Sequence, residues 1–565
     1  MYASHVRGSK LELAALSGAI ALALVAGGAQ AQISQSAERK NINRVGHTDL
    51  QGRPSYMPNV IDYPDGRTIL FAGTHNNAPV PVAGCTAPAL PNPLNNNVCE
   101  FSGTVIIDVT DPANPVEKFH IPAPGGGQGQ AQSERMCLGS QLPNAAANGL
   151  VGKVYMMRNV QGGSSSGYEV WDVTNVSAPV LASNLLNIRS THKMWWECST
   201  GIAYMPGSKN SVLVAGTPLW YQSQAMLIYD WSNPKAAPNY IRTFGLPGGE
   251  PTSPTGMVGV PNSLHGAISA FEHPNASQRL VRGATANDII GNRIYAAWGV
   301  GDDGVMTIID RKKLLPAAYG GTWVPATPNS LDSPTQAELI GPASPTVGYL
   351  TMSAQQGGHT SMPIFGVKPP SMQFHNEFAT LDIMVLTSEA TADGVNGRCN
   401  EAPHPAFLVD ISIENSMSAP PGTRVEHDPY QGPMVLSTMW IDPRFGARYP
   451  RGNYCTRGAR FGVHSSEENF RNPLYGKLTV LAYFNGGVRI WDIREPYNPS
   501  QVAFYVSESN ANTAPAGYMS NNAEVDNRGN IYIVDRNGAG LDILQLFGCP
   551  AQIVAGTAPT CPAIN

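Results

Sequence analysis

"GGVRIWDIREPYNPSQVAFY", Gly486–Tyr505, joins two apolar alternating runs through a polar bend that carries two prolines. "GTVIIDVTDPANPVEKFHIP", Gly103–Pro122, repeats that plan far earlier in the chain. Short alternating runs mark half-buried strands, and Asp-Pro or Asn-Pro dipeptides mark the turns between them. Five weaker copies are "YEVWDVTNVSAPVLASNL" from Tyr168, "AMLIYDWSNPKAAPNYIRTF" from Ala225, "GVMTIIDRKKLLP" from Gly304, "AFLVDISIENSMSAP" from Ala406 and "AGLDILQLFG" from Ala539. Each sets an aspartate after an apolar run: Asp108, Asp172, Asp230, Asp310, Asp410, Asp492 and Asp542.

Upstream of each copy stands a further pair of runs, including "RTILFAGT", "GKVYMMRN", "KLTVLAYFN" and "GNIYIVDRN". A unit therefore holds about four strands, the composition of a propeller blade. One such sheet cannot bury both faces alone; stacking it between two neighbours does, and closing the ring removes exposed ends. The expected fold is all-β, a seven-bladed β-propeller of four-stranded blades with loop insertions. The expected organisation is a signal peptide over 1–31, an N-terminal extension over 32–54, the propeller over 55–548 and a disulfide-closed tail over 549–565.

The phrases "VIIDVTDPANP" (Val105–Pro115) and "VRIWDIREPYNP" (Val488–Pro499) resemble the repeat of the LVIVD family of secreted propellers. The resemblance spans nearly all of the chain beyond residue 31 and implies a fold more than a reaction.

Composition agrees with many short strands: 58 Gly and 47 Pro accompany only 14% charged residues in 565. A net charge of -5 without any Lys/Arg-rich run gives no footprint for nucleic acid. "GGGQGQAQ" from Gly125 lacks the strand-to-helix setting of a phosphate loop, so no nucleotide cofactor is expected. At the N-terminus, Arg7 and Lys10 precede the apolar "LELAALSGAIALALVAGG" and the small-residue site "AQA". That order reads as a signal peptide cleaved after Ala31. The product is then exported, periplasmic or extracellular, and not membrane-spanning. All eight cysteines lie beyond that site, none in metal-type spacing, which points to disulfides. Cys85 with Cys99, and Cys549 with Cys561, would each close a short loop. Cys137 aligns with Cys198 in the next unit as a staple between the two.

The residues opening successive units are "THKMWWECSTGIAYM", "SLHGAIS", "GGHTSMP", "FGVHSSEENF" and "YMSNNAEVD". Their alignment sets Glu197 or Cys198, His265, His359, His464, and Asn521 or Asn522 at comparable positions near one mouth of the channel. Three imidazoles from successive blades form a donor set for a divalent transition metal: Cu, Fe or Zn. His192, His47 or His375 is available as a fourth nitrogen. Glu197, Glu377, Glu467 and Glu468 are available to orient an imidazole or act as base, with Glu197 and Glu467 the catalytic candidates. The competing reading is that each ring bonds a neighbouring carbonyl and sets blade register. Adjacent Trp195 and Trp196 face opposite sides of a strand, so one at most is expected in the core; with Asn522 they are the substrate-binding candidates. Two functions stay open: a metal-dependent oxidoreductase, and a non-catalytic platform that binds a small molecule or cell-surface component.

Overall fold

The computed structural model describes residues 38–564 apart from 76, 78, 125–129, 163–164, 209–219, 254–262, 282–287, 301–302, 342, 373–379, 390, 392–398, 415–431, 445–452 and 558–559. The signal-peptide reading, His375 and Glu377 therefore lie outside the described residues.

The repeated phrase is the outer half of an antiparallel sheet. Val488–Asp492 is the third strand and Ser500–Val506 the fourth, after Phe461–Ser466 and Leu478–Phe484. Five further sheets run four strands in the same up-and-down order, with first strands Ser55–Asp62, Glu134–Leu138, Trp195–Trp196, Leu264–Ser269 and Gly358–Val367. Ser520–Val525, Ile531–Asp535 and Leu541–Leu546 are joined by Ile42–Thr48 as their outermost strand. Glu38–Lys40 adds to the outside of Ser500–Val506. The stretch 38–48, set apart by sequence as an extension, is thus paired into the sheets.

The first strand of each sheet lies beside the first strand of the next, and Ser520–Val525 returns to Ser55–Asp62. This closed arrangement is a β-propeller. Its inner strands, such as Leu264–Ser269, are buried throughout, whereas the outer Val180–Leu186 is partly exposed along its whole length. Neighbouring sheets cover both faces of the second strands, which explains near-continuous apolar runs such as "TILFAGT" and "LTVLAYF".

The recurring aspartate has a local cause. Asp108, Asp172, Asp230, Asp410 and Asp492 each accept the backbone N–H two residues on, at 2.8–3.1 Å. Such an Asx turn bends the chain out of the third strand. In "DVT" the threonine completes the corner, because Thr110 and Thr174 hydroxyls accept the N–H groups of Thr68 and Val154 at 3.0 Å. A register shift precedes six of the seven aspartates, as at Ile106/Ile107 and Ile490/Trp491, and follows Asp542. Two copies depart for visible reasons. Asp310 caps the helix Arg311–Leu314, and Asp542 instead binds Arg44 and His47 of the ring-closing strand.

Four disulfides tie the described chain: Cys85–Cys99, Cys137–Cys198, Cys399–Cys455 and Cys549–Cys561. Cys137–Cys198 spans 61 residues and joins two successive sheets. Replacing both of its cysteines by alanine is expected to lower stability by about 2–4 kcal/mol through a freer unfolded chain. The check is the denaturant midpoint in oxidising buffer, where an unchanged value would leave the staple without energetic weight.

Candidate metal centre

Tyr56, His265 and His359 are each the second residue of a first strand, while His464 is the fourth residue of its own. Three consecutive first strands carry the histidines, and the first strand of the first sheet carries Tyr56, to the axis, where solvent is excluded: Tyr56 is 1% exposed and His359 and His464 are 0%. His192 arrives just ahead of the short strand Trp195–Trp196. The imidazoles form an arc, with ring centroids 4.0 Å apart for His192 and His265, 3.9 Å for His265 and His359, and 4.1 Å for His359 and His464.

Three of these rings aim at one atom. The Tyr56 hydroxyl lies 3.2 Å from His265 Nε2, 3.2 Å from His359 Nε2 and 3.4 Å from His192 Nε2. Opposite them stands Glu389, just past the strand Leu381–Ser388. Its carboxylate is 4.0 Å from His265 Nε2, 3.9 Å from His359 Nε2 and 3.6 Å from His464 Nε2. His265, His359 and Glu389 offer ligand atoms that all lie within 4.8 Å of one another. Arg460 and Arg536 hold Glu389 at 3.2 and 3.8 Å, and Arg536 also reaches His75, which stacks on Tyr56.

His464 has a defined tautomer. Its Nδ1 lies 2.8 Å from the Asn521 carbonyl, which can only accept, so Nδ1 carries the proton. Nε2 is then a bare lone pair, buried and without a hydrogen bond. Burial, followed by Arg536, holds this ring well below the ordinary histidine range. Burial lowers His265 and His359 likewise and brings His192 to about 3. All four imidazoles are therefore neutral at pH 7, the form that binds metals.

A second layer adjoins the first. Thr360 Oγ1 lies 2.9 Å from His359 Nδ1 and 3.1 Å from Lys193 Nζ, and Lys193 pairs with Glu468, which also takes Arg135. Beyond Glu468 opens a cavity of about 170 Å³, lined by Arg135, Trp195, Trp196, Glu272 and Glu524 among others.

The remaining sequence candidates fall elsewhere. Glu197 accepts three contacts from Arg311 at 2.8–3.1 Å, plus Tyr204, Ser269 and Thr200, and so clamps two sheets. Glu467 accepts Val480 N–H at 2.8 Å. His47 pairs with Asp542 at the rim. Trp195 and Trp196 are both buried, against the expectation of one core tryptophan, because sheets pack on both faces of theirs. Asn522 accepts a bond from the Asn521 side-chain amide, which also donates to the Tyr56 carbonyl. Tyr56, Glu389, Arg460, Arg536 and His75 were missed. Extending the alignment of strand openings to the first unit would have found Tyr56; no repeat signal marks the others.

Burial raises Glu134, Glu467 and Glu524 to about 8, and Asp535 to about 7. These folded acids keep protons that the unfolded chain has released by pH 6.5, so they stabilise at low pH and lose that contribution as pH rises to about 8. The buried histidines act oppositely, but only below their ordinary 6.5. Between pH 6.5 and 8 the acids dominate. The unfolding midpoint of metal-free protein is expected to fall across that window, less steeply in Glu524→Gln; equal slopes would mean the folded carboxyl is already ionised.

No family model and no curated protein sequence matches this chain. Among solved structures it is similar to the β-propeller domain of Myceliophteria thermophila Cps50 (Swd1), at 9% identity and TM-score 0.40, covering 89% of this chain and 98% of that one. Chaetomium thermophilum Sqt1 matches at 11% identity and TM-score 0.42, covering 90% and 98%. Kuenenia stuttgartiensis hydrazine synthase matches at 11% identity and TM-score 0.39, covering 88% and 96%. At these values the likenesses carry no inference about function.

Proposed function

We propose that this chain is an exported, seven-bladed propeller of the LVIVD-repeat type that holds a transition-metal ion on its axis and serves as an oxidoreductase for a small substrate. One observation carries the metal: the bare Nε2 of His464 faces the Glu389 carboxylate at 3.6 Å, lone pair toward lone pair. Two buried acceptors at that distance repel unless a cation lies between them. His192, His265 and His359 supply the other nitrogens of the reading, a donor set suited to Cu, Fe or Zn.

A redox-active ion bound there supplies electron exchange. The chain's own residues exclude water, hold four imidazoles neutral, and keep Glu389 between Arg460 and Arg536, where its carboxylate can accept a proton from a substrate. Glu389 takes in this reading the role that the sequence assigned to Glu197 and Glu467. Trp195 and Trp196 wall the cavity we read as the small-molecule entrance, with Asn522 behind the axis. Four disulfides support the exported reading.

Metal analysis of gently purified protein is expected to find about one Cu, Fe or Zn per chain, as a His₃ or His₄ site requires. His359→Ala is expected to lose most of that metal while remaining folded in far-ultraviolet dichroism. Protein without stoichiometric metal, and unchanged in ligand binding after His265, His359 and His464 are all replaced, would sink the proposal and leave the binding-platform reading.

A further inference from the structure

We propose that Tyr56 is a ligand of this ion: its phenolate oxygen coordinates beside the imidazoles and makes the site one for an oxidised ion, ferric iron or cupric copper. The inference rests on the metal reading above and goes beyond it by naming an oxygen donor and a class of ion.

The geometry points there first. Ligands about 2.1 Å from a common ion are separated by roughly 3.0 Å when at right angles and roughly 3.4 Å in a tetrahedron. The Tyr56 oxygen stands 3.2, 3.2 and 3.4 Å from three imidazole nitrogens, within the span expected of neighbouring ligands on one ion. The hydroxyl also lies where a histidine would from the corresponding strand, since Tyr56 and His265 are both the second residue of a first strand. The ring is held in place by its backbone, whose carbonyl accepts from Asn521 at 2.8 Å, and by stacking on His75 at 5.4 Å.

Burial and the neighbouring Glu389 hold the Tyr56 hydroxyl well above its ordinary range, so the phenolate forms only as an ion displaces its proton. A dipositive or tripositive ion among four neutral imidazoles needs anionic donors in a site closed to water. Glu389 brings one negative charge and shares it with Arg460 and Arg536. A phenolate adds a second. Anionic oxygen favours harder, higher-valent ions over those that soft donors select, and a deprotonated ligand releases its proton on binding.

Phenolate bound to ferric or cupric ion absorbs visible light by charge transfer, whereas imidazole-bound zinc is colourless. Metal-free full-length protein is titrated separately with a cupric salt, with ferric nitrilotriacetate and with a zinc salt, following absorbance, resonance Raman and bound metal. The expected result is a visible band with tyrosinate ring modes in the wild type. In Tyr56→Phe the band is lost while bound metal persists, held at least about 10-fold more weakly, since losing even an outer-shell partner of a ligand costs about 10–100-fold. Because the Raman measurement is made on wild-type protein, the proposal stays testable if the variant folds poorly. Metal bound without tyrosinate modes overturns the Tyr56 assignment and leaves the histidine site standing. Failure to bind either ion, with zinc bound instead, overturns the assignment of ion class. Failure to bind any metal overturns both readings.

Discussion

The Nδ1 proton of His464 is committed to the carbonyl of Asn521 on the neighbouring sheet, and the chemistry of the axis follows from that bond. A carbonyl cannot return a proton, so the opposite nitrogen is bare. The ring is fully buried, and its bare nitrogen lies 3.6 Å from the Glu389 carboxylate, which Arg460 and Arg536 approach at 3.2 and 3.8 Å. Around this pair the other imidazoles are neutral, because burial, the neighbouring imidazoles and Lys193 all disfavour the charged ring. The centre is thus built from acceptors, which in a dry interior call for positive charge.

Such an axis needs a scaffold that brings distant residues together without relying on local contacts. The Asx corner after each third strand does this by fixing how the chain turns into its outer strand, whatever follows. It explains why "DVT" and "WD" recur while the loops between units vary freely. That part of the fold was legible, because an aspartate accepting the N–H two residues on leaves its mark within a few positions. The departing copies were degenerate for local reasons too: Asp310 starts a helix, and Asp542 serves the strand that closes the ring. The role of residues 38–48 was less legible, since Ile42–Thr48 pairs with Leu541–Leu546 at the far end of the chain.

The site was legible in proportion to its register. His265, His359 and His464 repeat one residue type on successive first strands, so alignment of strand openings exposes them. Tyr56 shares the second-residue position of His265 but changes the side chain, and a search for imidazoles passes over it. Glu389 follows a second strand, where nothing repeats. Glu197 has the composition of a catalytic carboxylate, yet its outcome depended on Arg311, 114 residues away, whose guanidinium meets both oxygens through three contacts. A buried carboxylate becomes a clamp or a base according to which cation the fold delivers, and pairing at that range leaves no trace in local sequence.

The mouth beside the cavity shows the same rule. Glu467, Glu468 and Glu524 are all fully buried, but only Glu468 is held below the ordinary carboxylate range, because Lys193 and Arg135 both reach it. Glu467 and Glu524 lack a paired cation that outweighs burial, and they keep their protons. Each carboxyl of this layer is thereby neutral or matched. Thr360, bonded to both Lys193 and His359, is where the matched layer meets the imidazoles. Negative charge is answered there by side chains already in place, whereas the lone pair of His464 is left facing Glu389. The layer around Glu468 is thus closed by the chain's own cations, and the bare nitrogen of His464 beside Glu389 marks the layer where we propose an ion.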